Sequence, residues 1–190
     1  IANASVGGDL TLLSKGNLIF QKSIQLLSGA LVAVAGWNGS GTSVTSGSYG
    51  NGGGSITVGG SGASGNVAVG SVSGATTLAG ANINLAATNG YAQIGYHGGG
   101  SGAINVFATG DVALAGGGSS GFFAQIGDGG YKVTGSSSEA ISVIAGGNVT
   151  LAAGAGQEAY AQIGNGGAES NSSAGGYSET GLITVSGDVV

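Results

Sequence analysis

The chain has 190 residues, 45 of them glycine, with no proline, cysteine or methionine and only 6% charged. This composition excludes an ordinary globular domain, a disulfide framework and a thiolate metal site, while three basic residues and a net charge of −5 exclude a phosphate-binding stripe for nucleic acid. Because 41% of residues are hydrophobic, mostly small or β-branched, there is a core to bury, and strands around a narrow core are predicted in place of disorder.

In chain order, the Ile-Ala start carries no initiator Met, charged n-region or apolar h-region, so the chain is expected to be a processed or excised piece of something longer. Residues 1–81 follow a degenerate strand template, with Asp9, Ser23 and Asn66 each preceding an alternating apolar segment. The longest nearly apolar run, Ala30 to Trp37, is far shorter than the roughly 20 residues a bilayer requires, so no membrane insertion is expected. From residue 82 the pattern becomes a clear repeat, over 82–110, 111–147 and 148–187.

Each clear repeat opens on an Asx and alternating apolar residues: Asn82-Ile-Asn-Leu85, Asp111-Val-Ala-Leu114 and Asn148-Val-Thr-Leu151. The tetrapeptide Ala-Gln-Ile-Gly follows, ending at Gly95, Gly127 and Gly164, and then a third segment such as Ile104-Asn-Val106, Ile141-Ser-Val143 or Ile183-Thr-Val185. Three alternating segments per repeat predict three short strands per rung, with every second residue facing inward. The irregular spacing of the openings suits a solenoid better than a globular fold, since extra residues can leave the coil as loops. The expected architecture is therefore all-β, a right-handed parallel β-helix of about six rungs, a single segment over 1–190. The excess segments Trp37 to Gly54, Asp128 to Ala140 and Asn165 to Thr180 are expected to emerge at one corner, after the second strand of a rung. Stacked Asx residues at the rung openings, with Asp188 beginning a truncated last rung, are expected to form a hydrogen-bonded ladder.

Within the Ala-Gln-Ile segments the Ala and Ile share the inward parity, so Tyr91, Phe123 and Tyr160 should stack in one outer column beside Gln93, Gln125 and Gln162. These columns read either as fold-stabilising ladders or as an aromatic strip for sugar rings or another fibre. The loops carry Trp37, Tyr49, Tyr96, His97, Tyr131 and Tyr177 in a background of Gly, Ser, Asn and Thr. Rigid aromatics among small polar residues are the chemistry of ligand-contact loops; the plainer reading is tolerated insertions that cover the sheet face.

Catalytic chemistry finds little support. His97 is the only histidine, and the eight carboxylates (Asp9, Asp111, Asp128, Asp188, Glu139, Glu158, Glu169 and Glu179) show no evident pair in the sequence. No catalytic residue, metal ligand or cofactor is assigned, because polysaccharide-cleaving solenoids need clustered carboxylates, a basic residue or a metal in a groove, and Asp128 in Gly-Asp-Gly-Gly lacks the recurring Asp of calcium-binding nonapeptides.

The Gly-Asx-apolar-x-Leu segments, the Tyr-Ala-Gln-Ile-Gly-x-Gly-Gly segment and the Gly-x-Ile-x-Val-x-Ala/Ser-x-Gly segment resemble the repeats of filamentous-haemagglutinin-like exoproteins of the two-partner secretion route. The resemblance covers nearly the whole chain and is strongest from Asn82 to Val190. It implies an interior repeat region of a large adhesin, secreted to the surface of a Gram-negative cell through an outer-membrane transporter and serving adhesion, aggregation or biofilm-matrix scaffolding. The partners it implies are a polysaccharide, a host glycan or another copy of the fibre. Two alternatives stay open: a carbohydrate-active β-helix enzyme (lyase or hydrolase), and an inert stalk that delivers a distal toxin domain.

Overall fold

The computed structural model describes residues 4–41, 43–169 and 180–189. The first strands are β1 (Ala4–Gly7), β2 (Leu10–Ser14), β3 (Leu18–Phe20), β4 (Ile24–Ser28) and β5 (Leu31–Ala35). After a loop come β6 (Ile56–Gly59), β7 (Val67–Ser71), β8 (Thr76–Gly80), β9 (Ile83–Ala86), β10 (Ala92–Ile94) and β11 (Ile104–Ala108). The chain continues through β12 (Val112–Ala115), β13 (Ala124–Ile126), β14 (Ile141–Ala152), β15 (Ala161–Ile163) and β16 (Ile183–Val189).

Among the described residues every strand pairing is parallel, and the strands form two sheets. One has six strands in the order β1-β4-β7-β10-β13-β15; the other has ten, running β2-β5-β8-β11-β14-β12-β9-β6-β3 with β16 added on β14. This corrects the expected β-helix with three short strands per rung. The strands do not divide into three separate sheets, because β14 is a single strand of 12 residues that pairs with β11 at one end and β12 at the other. Two segments that alternation marks as separate strands are thus continuous there. Between the two pairings, Gly146-Gly147 lets the strand run on where a side chain would clash with Thr109 and Asp111.

Registered pairing stacks like on like. Ile104 lies beside Ile141 and Ile141 beside Ile183, while Val106 lies beside Val143; in the six-stranded sheet Ile94, Ile126 and Ile163 make another column. Apart from Ile183, which is exposed, these residues form one core, with Ile94, Ile126, Val112 and Val143 fully buried. Full burial of such side chains is worth about 1.5–3 kcal/mol each. The inward Thr76 is buried too, and its hydroxyl accepts from the Ser71 amide at 3.0 Å, so the sheet satisfies it.

The Asx ladder runs along one edge. Asn17 Oδ1 accepts from Ser55 N at 2.9 Å, Ser55 Oγ from Asn82 N at 3.3 Å, Asn82 Oδ1 from Asp111 N at 2.8 Å, and Asp111 Oδ1 from Asn148 N at 2.7 Å. Its lower members are Asn17 and Ser55, where Asp9, Ser23 and Asn66 were expected. Those three sit elsewhere: Asp9 Oδ1 accepts from Ala30 N at 2.8 Å, Ser23 Oγ from Ala68 N at 3.0 Å, and Asn66 Oδ1 from Tyr91 N at 3.2 Å. A short polar side chain before an alternating run looks the same at any corner, so sequence cannot separate the columns.

The shared exit expected for the long loops is also corrected. Trp37 to Gly54 lies between β5 and β6, both in the ten-stranded sheet, whereas Asp128 to Ala140 leaves the end of β13 in the six-stranded sheet. Most of Asn165 to Thr180 lies outside the described residues.

Candidate functional site

The Ala-Gln-Ile strands β10, β13 and β15 pair in register, so the residue before each falls into a column on the outer side of the six-stranded sheet. Tyr91 and Phe123 stack at 4.8 Å with ring planes 10° apart, and Phe123 and Tyr160 stack at 4.9 Å and 4°. His97, just after β10, folds back on the column and lies 4.5 Å from Tyr91 at 5°. Its ring can do so because Gly130 has no side chain: at φ 123 an added Cβ would stand 2.7 Å from His97 and 3.0 Å from Phe123.

The second column, Gln93, Gln125 and Gln162, does not stack amide on amide. Each side chain is folded under the glycine-rich turn that follows, and Gln93 and Gln125 are completely buried. Gln93 Nε2 donates to Gly127 O at 2.8 Å, and Gln125 Nε2 donates to Gly164 O at 2.8 Å and Gly166 O at 2.9 Å. Gln162 Nε2 donates to Asn165 O at 3.0 Å. The Gln93 and Gln125 amides therefore tie their strands to the turn of the next layer, and the Gln162 amide ties β15 to its own turn.

Those turns make a ladder of their own. Asp128 Oδ1 accepts from Tyr96 N at 2.6 Å, Asn165 Oδ1 accepts from Asp128 N at 3.1 Å, and Gly129 bridges to His97 and Gly166. Asp128 is buried together with Glu139, whose Oε1 accepts from Asp128 N at 3.3 Å. The carboxylates that looked unpaired in the sequence thus include one buried pair. Burial first, and the Glu139 carboxylate second, push the Asp128 carboxyl up to about 8.

A shallow groove of about 260 Å³ opens over the aromatic column. Tyr91, His97, Phe122 and Tyr131 supply its aromatic surface above the fully buried Phe123, while Asn66, Ser120 and Gly121 supply small and polar groups. Tyr131 reaches it from the loop after β13 and leans on Gly121, where an added Cβ would meet its ring at 3.2 Å. Lys132 Nζ sits 4.8 Å from the Tyr131 ring centroid and pairs with Glu169 at 3.4 Å, fixing that ring from the rim. Burial raises the Tyr91 phenol to about 12 and lowers His97 below its ordinary value, so both are uncharged at neutral pH. No lining side chain then carries a charge. At this size the groove falls below the ~300 Å³ of a pocket for a drug-sized ligand and suits a single ring.

Of the loop aromatics singled out in the sequence, His97 and Tyr131 reach the groove and join the ladder residues Tyr91 and Phe123. Tyr160 extends the column without lining the groove; Tyr96 contributes its backbone to the turn ladder. Trp37 donates from Nε1 to Gly41 O at 3.2 Å within its own loop, and Tyr49 lies against Phe107 at 6.3 Å on the ten-stranded sheet. Tyr177 lies outside the described residues. Sequence reasoning missed Asn66, Ser120, Gly121 and Phe122 as groove residues. The doubled aromatic Phe122-Phe123, absent from the sister repeats, was the available signal. Among the described residues no group of three or more metal-ligating side chains occurs, and no helix is long and apolar enough to cross a membrane. No family model, curated protein or solved structure matches the chain.

Proposed function

We propose that this chain is a structural and adhesive segment of a secreted bacterial surface fibre, and that its aromatic groove takes one ring of a neutral saccharide. The observation that carries the reading is the groove itself: the partly exposed rings of Tyr131 and Phe122 over the stacked column, beside the Asn66 carboxamide and the Ser120 hydroxyl, with no charge in the lining. Aromatic faces suit the apolar C–H face of a sugar, and the amide and hydroxyl suit its hydroxyl groups. The registered stack beneath supplies a rigid base for such a groove. A fibre at the surface of a Gram-negative cell, passed out by an outer-membrane transporter and holding matrix or host glycan, accommodates both this groove and the filamentous-haemagglutinin-like repeats.

The test is a glycan array probed with the intact chain, followed by titration of the retained sugar. Tyr131→Ala should weaken binding about tenfold, equivalent to about 1.4 kcal/mol, with the far-ultraviolet spectrum unchanged. Affinity should be nearly equal at about 0.1 M and 1 M salt, because no ion pair is involved. Retention of no saccharide, or retention indifferent to Tyr131, would sink the proposal. New reducing ends in the same mixtures would point instead to a carbohydrate-cleaving enzyme.

A further inference from the structure

The outer face of the ten-stranded sheet carries a second groove. Val34 and Ala79 have the outward parity of β5 and β8 and stand apart from the core cluster, yet they are 2% and 0% exposed, because the loop Trp37 to Gly54 folds over them. That loop is braced at its base and across its middle. Trp37 N donates to Ser14 O at 2.8 Å and Gly50 N to Ala35 O at 2.9 Å, while the Asn38 and Asn51 carboxamides both donate to Gly47 O. Its cover stops short of the adjoining outward positions. Val32, Thr77, Asn105 and Phe107 stay half-buried and floor a groove of about 490 Å³, with Ser43 and Val44 of the loop as its wall.

We propose that this groove is a second saccharide site, taking a neutral oligosaccharide that runs across the strands, along the stack. It is built from a different sheet and a different loop from the aromatic groove, and it binds whether or not that groove does.

Register sets the direction. Val32 lies beside Thr77 and Thr77 beside Asn105, so the floor steps across three strands, about 10 Å at the ordinary strand spacing. Ser142 and Ile144 on β14 continue the lines of Asn105 and Phe107 beyond the groove. Hydrogen-bonding and apolar side chains thus run next to one another from layer to layer. Among the described residues the Thr77 hydroxyl and the Asn105 carboxamide make no hydrogen bond, whereas Asn38, Ser48 and Asn51 in the loop all do. An occupant must therefore satisfy those two groups and also cover Val32 and Phe107, and no lining residue is charged. An acyl chain would leave Thr77 and Asn105 unpaired. An extended peptide needs a free strand edge, which a sheet face does not offer. A sugar chain meets both demands, with hydroxyls for the amide and C–H faces for Phe107. The volume lies within the ~300–1,000 Å³ of ligand pockets, so more than one ring fits.

Trp37 provides the locator, because it is the only tryptophan and its Nε1 donates to Gly41 O in the loop that walls this groove. The whole chain carrying Tyr131→Ala, which impairs the aromatic groove, is titrated calorimetrically with neutral glucose, galactose, mannose and N-acetylglucosamine oligomers of one to six rings. Trp37 emission is followed in parallel. At least one series should bind and shift the emission, with affinity rising about tenfold from one ring to three. Phe107→Ala and Asn105→Ala, each added to that chain, should weaken the binding about tenfold with the far-ultraviolet spectrum unchanged. Alanine suits the Phe107 position, since Ala79 already stands beside it in the same column. These two variants decide the matter where the emission does not move. Binding of no oligomer, equal affinity for one ring and six, or binding indifferent to both Phe107→Ala and Asn105→Ala would each overturn the second site. A response seen in the unsubstituted chain but lost with Tyr131→Ala would assign the sugar to the aromatic groove alone. A response kept in a chain whose binding never depends on Tyr131 would uphold this site and remove the other.

Discussion

At the scale of single residues, the informative contrast is between neighbours of opposite parity. Ile126 points into the core and is fully buried, so Ile126→Ala should cost about 2–5 kcal/mol, because a narrow core flanked by registered strands cannot collapse into the void. Gln125 points the other way, which by alternation alone would make it a tolerant surface position. Its amide instead donates to Gly164 O, Gly166 O and Asp128 O, all in buried turns. Gln125→Ala should therefore cost about 1–3 kcal/mol by leaving carbonyls unsatisfied. Urea unfolding of both variants checks the pair, and a neutral Gln125→Ala would show that water replaces the amide beneath the turn. Alternation identified which residues face the core. It could not show that the opposite face is roofed, because the roof consists of glycines with no pattern of their own.

At the scale of the element, the Asx ladder shows how one strand fixes the next. Asp111 is exposed, yet its Oδ1 receives the Asn148 amide at 2.7 Å and thereby sets where β14 resumes pairing with β12. Asn occupies the neighbouring positions, so Asp111→Asn should be nearly neutral. Asp111→Ala should lose about 0.5–1.5 kcal/mol, the net value of one hydrogen bond. Thermal midpoints of the two variants separate acceptor geometry from charge: equal losses would mean that the negative charge, not the carbonyl-like oxygen, is what matters. The ladder was legible in the repeats from Asn82 onward. It was misassigned below them, because Asn17 and Ser55 open their strands within the most degenerate part of the chain.

For the whole molecule, stability should be graded along the stack. Each layer touches only its neighbours, so opening is cheapest where a neighbour is missing. Strands β7 to β12 are sandwiched and largely buried, whereas among the described residues β16 pairs only with β14 and is exposed along its whole length. Native-state hydrogen exchange should give the slowest amides in β8 to β11 and progressively faster ones toward β16. Uniform protection throughout would mean that the stack opens only as a single cooperative unit.

The sequence by itself determined that the chain is all-β and parallel in repeat, which side of each strand faces inward, and that Tyr91, Phe123 and Tyr160 share a column, because these follow from local alternation and from in-register copies of one tetrapeptide. Only the tertiary structure decided how the strands divide between sheets. A single strand runs through Gly146-Gly147, where the sequence shows only a turn-like pair. It also decided that the loops leave from different sheets, that His97 and Tyr131 reach one groove while Trp37 and Tyr49 do not, and that Asp128 meets Glu139. Each of these depends on where a loop without periodicity comes to rest, and a loop's path is set by the packing of other layers against it.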